Sequence, residues 1–148
     1  EHTDGPVSWL SSRAPSESVY TPFLDADFPP RMDRTVTGDP LRFAGQTYTR
    51  GIGMHSRTKM VWPLEPSDKT FRTRYAIDPS LGYADVAIRV LVDDKIVHEA
   101  KDVKAGAISP VVEADLKGAK TLTLEVDYGA GYDVQDRVMF LEPAIVRE

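Results

Sequence analysis

From Leu41 onward the chain alternates apolar and polar residues with a period of two. Phe71, Thr73, Tyr75 and Ile77 share one face while Arg72 and Arg74 point the other way. Val86, Ile88, Val90 and Val92 alternate with Ala87, Arg89, Leu91 and Asp93, and Leu122, Leu124, Val126 and Tyr128 alternate with Thr121, Thr123, Glu125 and Asp127. This spacing, with its β-branched and aromatic content, predicts half-buried strands. Val111–Leu116 and Val138–Val146 read as two more, and Val7–Leu10 as a short one anchored by Trp9. Asp93-Asp94-Lys95 reads as a hairpin turn, because Asp tolerates the left-handed conformation such turns need, and Lys117-Gly118-Ala119-Lys120 as a second turn. No segment carries a capped stripe of period 3.6. The expected class is therefore all-β, an antiparallel sandwich or barrel. Tyr75, Tyr128, Phe71, Phe140, Trp62 and Trp9 are expected in the core, and His98 on an outward strand face.

Two departures from the alternation stand out. Pro6, Pro15, Pro22, Pro29, Pro30 and Pro40 account for six of the eleven prolines. Proline removes a ladder donor, so residues 1 to about 40 are expected as loops and short edge pieces wrapped over one domain spanning 1–148. The second departure is Gly51-Ile52-Gly53-Met54-His55-Ser56, where two glycines precede a histidine between β-type runs. Glycine permits positive φ or close approach of another group, and the segment is expected to be a bulge or corner that aims His55 and Ser56.

Composition narrows the class. The chain has 148 residues, enough to bury a core without staples, and no cysteine, which removes thiol catalysis, cysteine-based zinc sites and disulfides together. A net charge of −5 argues against nucleic-acid or anionic-membrane partners. No apolar run approaches the ~20 residues that cross a bilayer, so no membrane insertion is expected. The chain opens on Glu1 and not on methionine, as expected of a piece trimmed from a longer precursor.

Several ordered pieces carry a family resemblance. Leu41-x-Phe43-x-Gly45-x-x-Tyr48-x-Arg50-Gly51-Ile52-Gly53-x-His55-Ser56 resembles the opening signature of the NPCBM domains, a "novel putative carbohydrate-binding module" group related to carbohydrate-binding module family fifty-one. Phe71-x-x-x-Tyr75-Ala76-Ile77-Asp78, Val90-x-Val92-Asp93-Asp94-Lys95 and Lys117-Gly118-Ala119-x-x-Leu122-x-Leu124-x-Val126 follow in the family's order. Asp136-Arg137-Val138-Met139-Phe140-Leu141-Glu142-Pro143 resembles its closing motif. Three positions depart: Asp94 stands where the family usually has Gly, Phe140 where a Trp is usual, and Met139 where an acid is usual. The resemblance covers roughly residues 7 to 147. It implies a jelly-roll β-sandwich like the galactose-binding domains, with ligands held by loops at one end, as part of a larger secreted or surface protein with further domains.

The candidate ligand-binding residues are His55, Asp78, Tyr132 and Asp136. His55 can bond a sugar hydroxyl through either ring nitrogen, or satisfy loop backbone beside Gly53. Asp78 and Asp136 fall at expected strand–loop junctions, where carboxylates suit sugar hydroxyls or a calcium ion, or cap turns, as Asp before Pro79 does. No segment has calcium-loop spacing, and no cofactor is expected. Tyr132 and Tyr83 lie in Gly-flanked loops and suit a sugar face; Arg57 reads as a solvated edge charge. Nucleophile elbows, phosphate-cradling glycine loops and metal-ligand histidine pairs are all missing from the sequence, and no carboxylate pair is spaced as in glycosidases. The expected function is non-catalytic binding of a terminal galactose-type carbohydrate. The alternative is a structural or protein-interaction sandwich without a sugar site, motivated by Met139 and Phe140.

Overall fold

A computed structural model of the chain describes residues 7–20, 30–35, 40–43, 45–55, 58–77, 85–104, 108–128 and 137–147. The strands are β1 (Val7–Trp9), β2 (Glu17–Tyr20), β3 (Arg31–Met32), β4 (Leu41–Phe43), β5 (Gln46–Tyr48), β6 (Gly51–His55) and β7 (Thr58–Pro63). They continue with β8 (Asp68–Ile77), β9 (Asp85–Val92), β10 (Lys95–Lys104), β11 (Val112–Asp115), β12 (Thr121–Tyr128) and β13 (Arg137–Arg147). A single 3-10 turn, Leu10–Ser12, is the one helical piece among the described residues.

The strands form an antiparallel β-sandwich of jelly-roll type, resembling the galactose-binding domains. One sheet runs β11-β8-β13-β6-β3 with β1 added beside β13, the other runs β10-β9-β12-β7-β2, and β4-β5 is a separate hairpin. The alternating faces meet between the sheets. Ile52, Met54, Phe71, Tyr75, Val138, Phe140 and Ile145 pack against Met60, Trp62, Val86, Ile88, Val90, Leu122, Leu124 and Val126 in one buried cluster. Trp62 and Phe140 are fully buried, and each such side chain is worth about 1.5–3 kcal/mol removed from water. On the outer face of the five-stranded sheet, Arg89 sits in register between Glu99 and Glu125 and bonds both, with Asp127 at 3.3 Å.

Both expected turns are present. Asp93 and Asp94 have φ of 51° and 66°, a two-residue hairpin with both centres left-handed, in which Asp93 Oδ1 accepts the Lys120 and Thr121 amides. Gly118 has φ 74° and carries the chain from one sheet to the other.

His98 departs from the expected outward face. The β9–β10 register shifts between Ile96 and His98, so one extra residue on β10 reverses the alternation. Val97 is left exposed, and His98 Nε2 lies 2.8 Å from the hydroxyl of the buried Tyr75.

The glycine-rich segment is also not a corner. Gly51–His55 is a regular strand, paired without a break to β13 on one side and at Gly53 and Ile52 to β3 on the other. Neither Gly51 nor Gly53 takes positive φ. Their smallness is what matters: a Cβ on Gly51 would lie 2.6 Å from the Phe140 carbonyl oxygen, and one on Gly53 would lie 2.8 Å from Thr35 backbone and closer still to the Arg34 carbonyl. The glycines clear the outer face so that the chain at 33–35 and the β4-β5 hairpin can lie on it. Leu41 and Phe43 of that hairpin form a second buried cluster with Ala76, Met139 and Leu141 of the sheet.

The first described segment is clamped to the sandwich through Arg13. Its guanidinium makes two 2.9 Å bonds to the fully buried Asp68 carboxylate, its carbonyl accepts the Trp62 indole N–H at 3.1 Å, and Ser16 N donates to Val61 O at 2.7 Å. Burial pushes the Asp68 carboxyl up, but the Arg13 hydrogen bonds, the Glu65 amide and the charges of Arg13 and Arg147 outweigh it and hold the group below its ordinary value.

Gly53→Ala is expected to cost about 1–3 kcal/mol through overpacking against backbone that cannot swing aside, measured by urea unfolding. An unchanged midpoint would show that the 34–35 segment does not lie on the strand. A carboxyl held low in the fold stabilises fully above its unfolded value of ~3.9 and loses that contribution as pH falls through the folded value. Arg13→Ala is therefore expected to cost about 3–5 kcal/mol at neutral pH. It should also lose less stability than the wild type on acidification; parallel pH–stability curves for the two proteins would contradict the clamp.

Candidate functional site

Strand register determines where the chain passes between the sheets. His55 pairs with Arg137, and Met54, Val138 and Ile77 lie in one row across β6, β13 and β8. In the facing sheet Tyr20, Thr58 and Val126 form a row, with Tyr128 paired to Val86 and Lys104 to Asp85. Five connections therefore cross between the sheets at this end: 20 to 31, 55 to 58, 77 to 85, 104 to 108 and 128 to 137. Four of the five strands leading into them end within two residues of a Gly, Pro or Asp, and the fifth, β6, is followed by the two-residue step Ser56-Arg57.

The four predicted ligand residues belong to three of these crossings. His55 closes β6, Asp78 follows β8, and Tyr132 and Asp136 precede β13. Asp78, Tyr132 and Asp136 lie outside the described residues, as do Ser56, Arg57 and Tyr83. His55 is described. Its side chain is 2 % exposed, its ring meets that of Tyr20 edge-on at 6.4 Å and 81°, and its carbonyl accepts the Thr58 hydroxyl. By alternation His55 shares the outer face of β6 with Gly51 and Gly53. It therefore continues the covered surface those glycines create and stands at the base of the crossing end, under cover.

Two of the three positions that depart from the family signature have packing roles in this chain, and the third, Asp94, sits in the hairpin turn. Phe140 points inward and is fully buried, with its ring 6.1 Å from that of Tyr75. Met139 points outward but is 4 % exposed beneath the β4-β5 hairpin. Trp9 differs from its expected core placement: it is half-buried and pairs with Ala144 beside the outer face of the six-stranded sheet. Tyr48, at the end of the hairpin, is also half-buried on that side. Sequence reasoning missed both rings, because Trp9 is placed by the side of β13 on which the short β1 pairs and Tyr48 by how the separate β4-β5 hairpin lies on the sheet. Neither periodicity nor composition carries that information.

The chain matches the NPCBM/NEW2 domain family over residues 7–146. It belongs to that family. Solved structures with the same fold include CBM51-2 and INT domains of Clostridium perfringens ZmpB in complex with GlcNAc, at 21% identity over 95% of this chain and 31% of that one, with a TM-score of 0.85. A second is CBM51 of Clostridium perfringens GH95 in complex with methyl-galactose, at 19% identity over 95% of this chain and 99% of that one, with a TM-score of 0.83. The tandem CBM51 modules of the family 98 glycoside hydrolase Sp3GH98 of Streptococcus pneumoniae SP3-BS71 match at 16% identity over 97% of this chain and 47% of that one, with a TM-score of 0.78. The NPCBM chain thus spans about a third of the first structure's length and about half of the third's. No curated protein sequence matches it. Its fold is that of a carbohydrate-binding module, and among its described residues no helix is long and apolar enough to cross a membrane.

Proposed function

We propose that this NPCBM domain is a non-catalytic carbohydrate-binding module that reads a terminal galactose-type sugar at the crossing end of the sandwich. The observation that carries the reading is that β6, β8 and β12 end, and β7, β9 and β13 begin, at this one end. The connections between them hold His55, Asp78, Tyr132 and Asp136. Related modules are solved with methyl-galactose and with GlcNAc, which supports a monosaccharide-sized ligand.

The roles follow from side-chain chemistry. Tyr132 offers an aromatic face to the apolar face of a pyranose, and Asp136 accepts hydrogen bonds from neighbouring hydroxyls with charge-assisted strength. Asp78 organises the adjoining crossing, and His55 supports the base of the site from its covered position. Few polar groups meet the sugar, so affinity is weak, because those contacts must offset the entropy of association. Binding needs no cofactor; were an ion held, the Asp78 and Asp136 carboxylates would suit calcium. The domain works as one part of a larger protein outside the cytoplasm, at the cell surface, secreted or in the periplasm, alongside other domains of its chain. The alternative of a purely structural module loses its motive here, since Phe140 and Met139 are both buried packing residues.

Isothermal titration with methyl-galactoside should give saturable binding with a dissociation constant in the micromolar-to-millimolar range, unchanged by a chelator. Asp136→Ala and Tyr132→Ala should each weaken it by about tenfold or more. Silence toward both methyl-galactoside and N-acetylglucosamine would overturn the reading, and full affinity in both variants would move the site away from this end.

A further inference from the structure

The outer face of the six-stranded sheet carries a cleft that the crossing end does not use. It opens where β13 breaks register between Leu141 and Ala144, and has a volume of about 360 Å3. Trp9, Tyr48, Thr73, Arg74, Leu141 and Glu142 line it. Its frame is fixed. Glu142 holds φ at 49°, a region costly for a residue with a side chain, while its amide donates to Arg50 O at 2.9 Å and the Thr73 hydroxyl donates to Leu141 O at 3.1 Å.

Arg72, which also lines the cleft, pairs with Glu113 at 3.0 Å, and four other polar ends of the lining stay free. The Trp9 indole N–H, the Tyr48 hydroxyl, the Arg74 guanidinium and the Glu142 carboxylate have no hydrogen-bond or ion-pair partner among the described residues. Packing alone explains two half-buried rings. Beside them, an exposed cation and an exposed anion share the cleft without pairing with each other. Two rings flanked by one donor fork and one acceptor carboxylate match a pyranose, whose apolar face stacks while adjacent hydroxyls both donate and accept.

We propose that this cleft is a second carbohydrate subsite, holding an uncharged pyranose ring against Trp9 and Tyr48, with Arg74 donating to and Glu142 accepting from its hydroxyls. This rests on the reading of the domain as a sugar binder and adds a site on a different surface of it. With Arg72 balanced by Glu113 and Arg74 by Glu142, the cleft carries no net charge, which favours a neutral sugar over a uronic or sialic acid.

The chain has two tryptophans, and Trp62 is fully buried with its indole bonded to Arg13 O, so the two indole N–H signals separate the cleft from the core. The 15N-labelled chain is titrated with methyl-galactoside and, separately, with N-acetylglucosamine. The Trp9 indole signal is expected to shift saturably while that of Trp62 stays. Arg74→Ala and Glu142→Gln, both at exposed positions, are expected to weaken that response by about tenfold with the Trp62 signal unmoved as the check on folding. Shifts at His55, Thr58 and Arg137 with a static Trp9 would overturn the cleft and leave the crossing-end site standing. A moving Trp9 with those amides static supports the cleft and overturns the crossing-end site. A moving Trp9 in both variants at wild-type affinity overturns the roles of Arg74 and Glu142. No shift with either sugar overturns both sites.

Discussion

The long strand β13 is the constraint on which the rest of the structure depends. It pairs with β8 along nearly its full length on one side, while on the other its first half pairs with β6 and its second half with β1. Two strands can share one edge only if the ladder breaks between them, and the break falls at Glu142-Pro143. Proline has no amide to contribute to a ladder, and Glu142 turns to positive φ, so the chain steps past the junction while the Glu142 amide is satisfied by Arg50 O. The start of the strand fixes the row His55–Arg137 at the crossing end, and the bulge fixes the relation of Trp9 to Arg74 on the outer face. Both candidate surfaces are therefore set by one element.

Covering the outer face is the second requirement, and β6 meets it by having almost no side chains there. Gly51 and Gly53 let backbone and the Leu41 side chain come close enough that all five residues of the strand are buried. The same cover explains why this family member carries Met139: beneath the apolar hairpin, a carboxylate would be buried without a partner, a costly arrangement. The signature around the histidine reads, in this fold, as a packing device at the base of the proposed ligand-binding end.

Much of this was legible in the sequence because the alternation is strong where both sheets face the core. Phe71 through Ile77, Val86 through Val92 and Leu122 through Val126 carry the sandwich almost without interruption, and Asp93-Asp94 and Gly118 mark turns by backbone chemistry that only a few residue types accept. What escaped was non-local. One extra residue near Val97 reverses the face of His98, and no propensity announces it. The glycines announced an exception but not which kind, since positive φ and close approach are equally open to a residue without Cβ. Trp9 escaped because β1 is three residues long and takes its place from β13 and from the Arg13–Asp68 clamp.

Native-state hydrogen exchange tests the central role of β13 most directly, because it ranks each ladder by the free energy needed to open it. The account predicts that the amides of Val138–Leu141, together with their partners on β6 and β8, exchange only through global unfolding and are at least as protected as those of β9 and β12. If the β13 amides instead exchange through a local opening well below the global free energy while β9 and β12 stay protected, β13 does not hold the two surfaces in place.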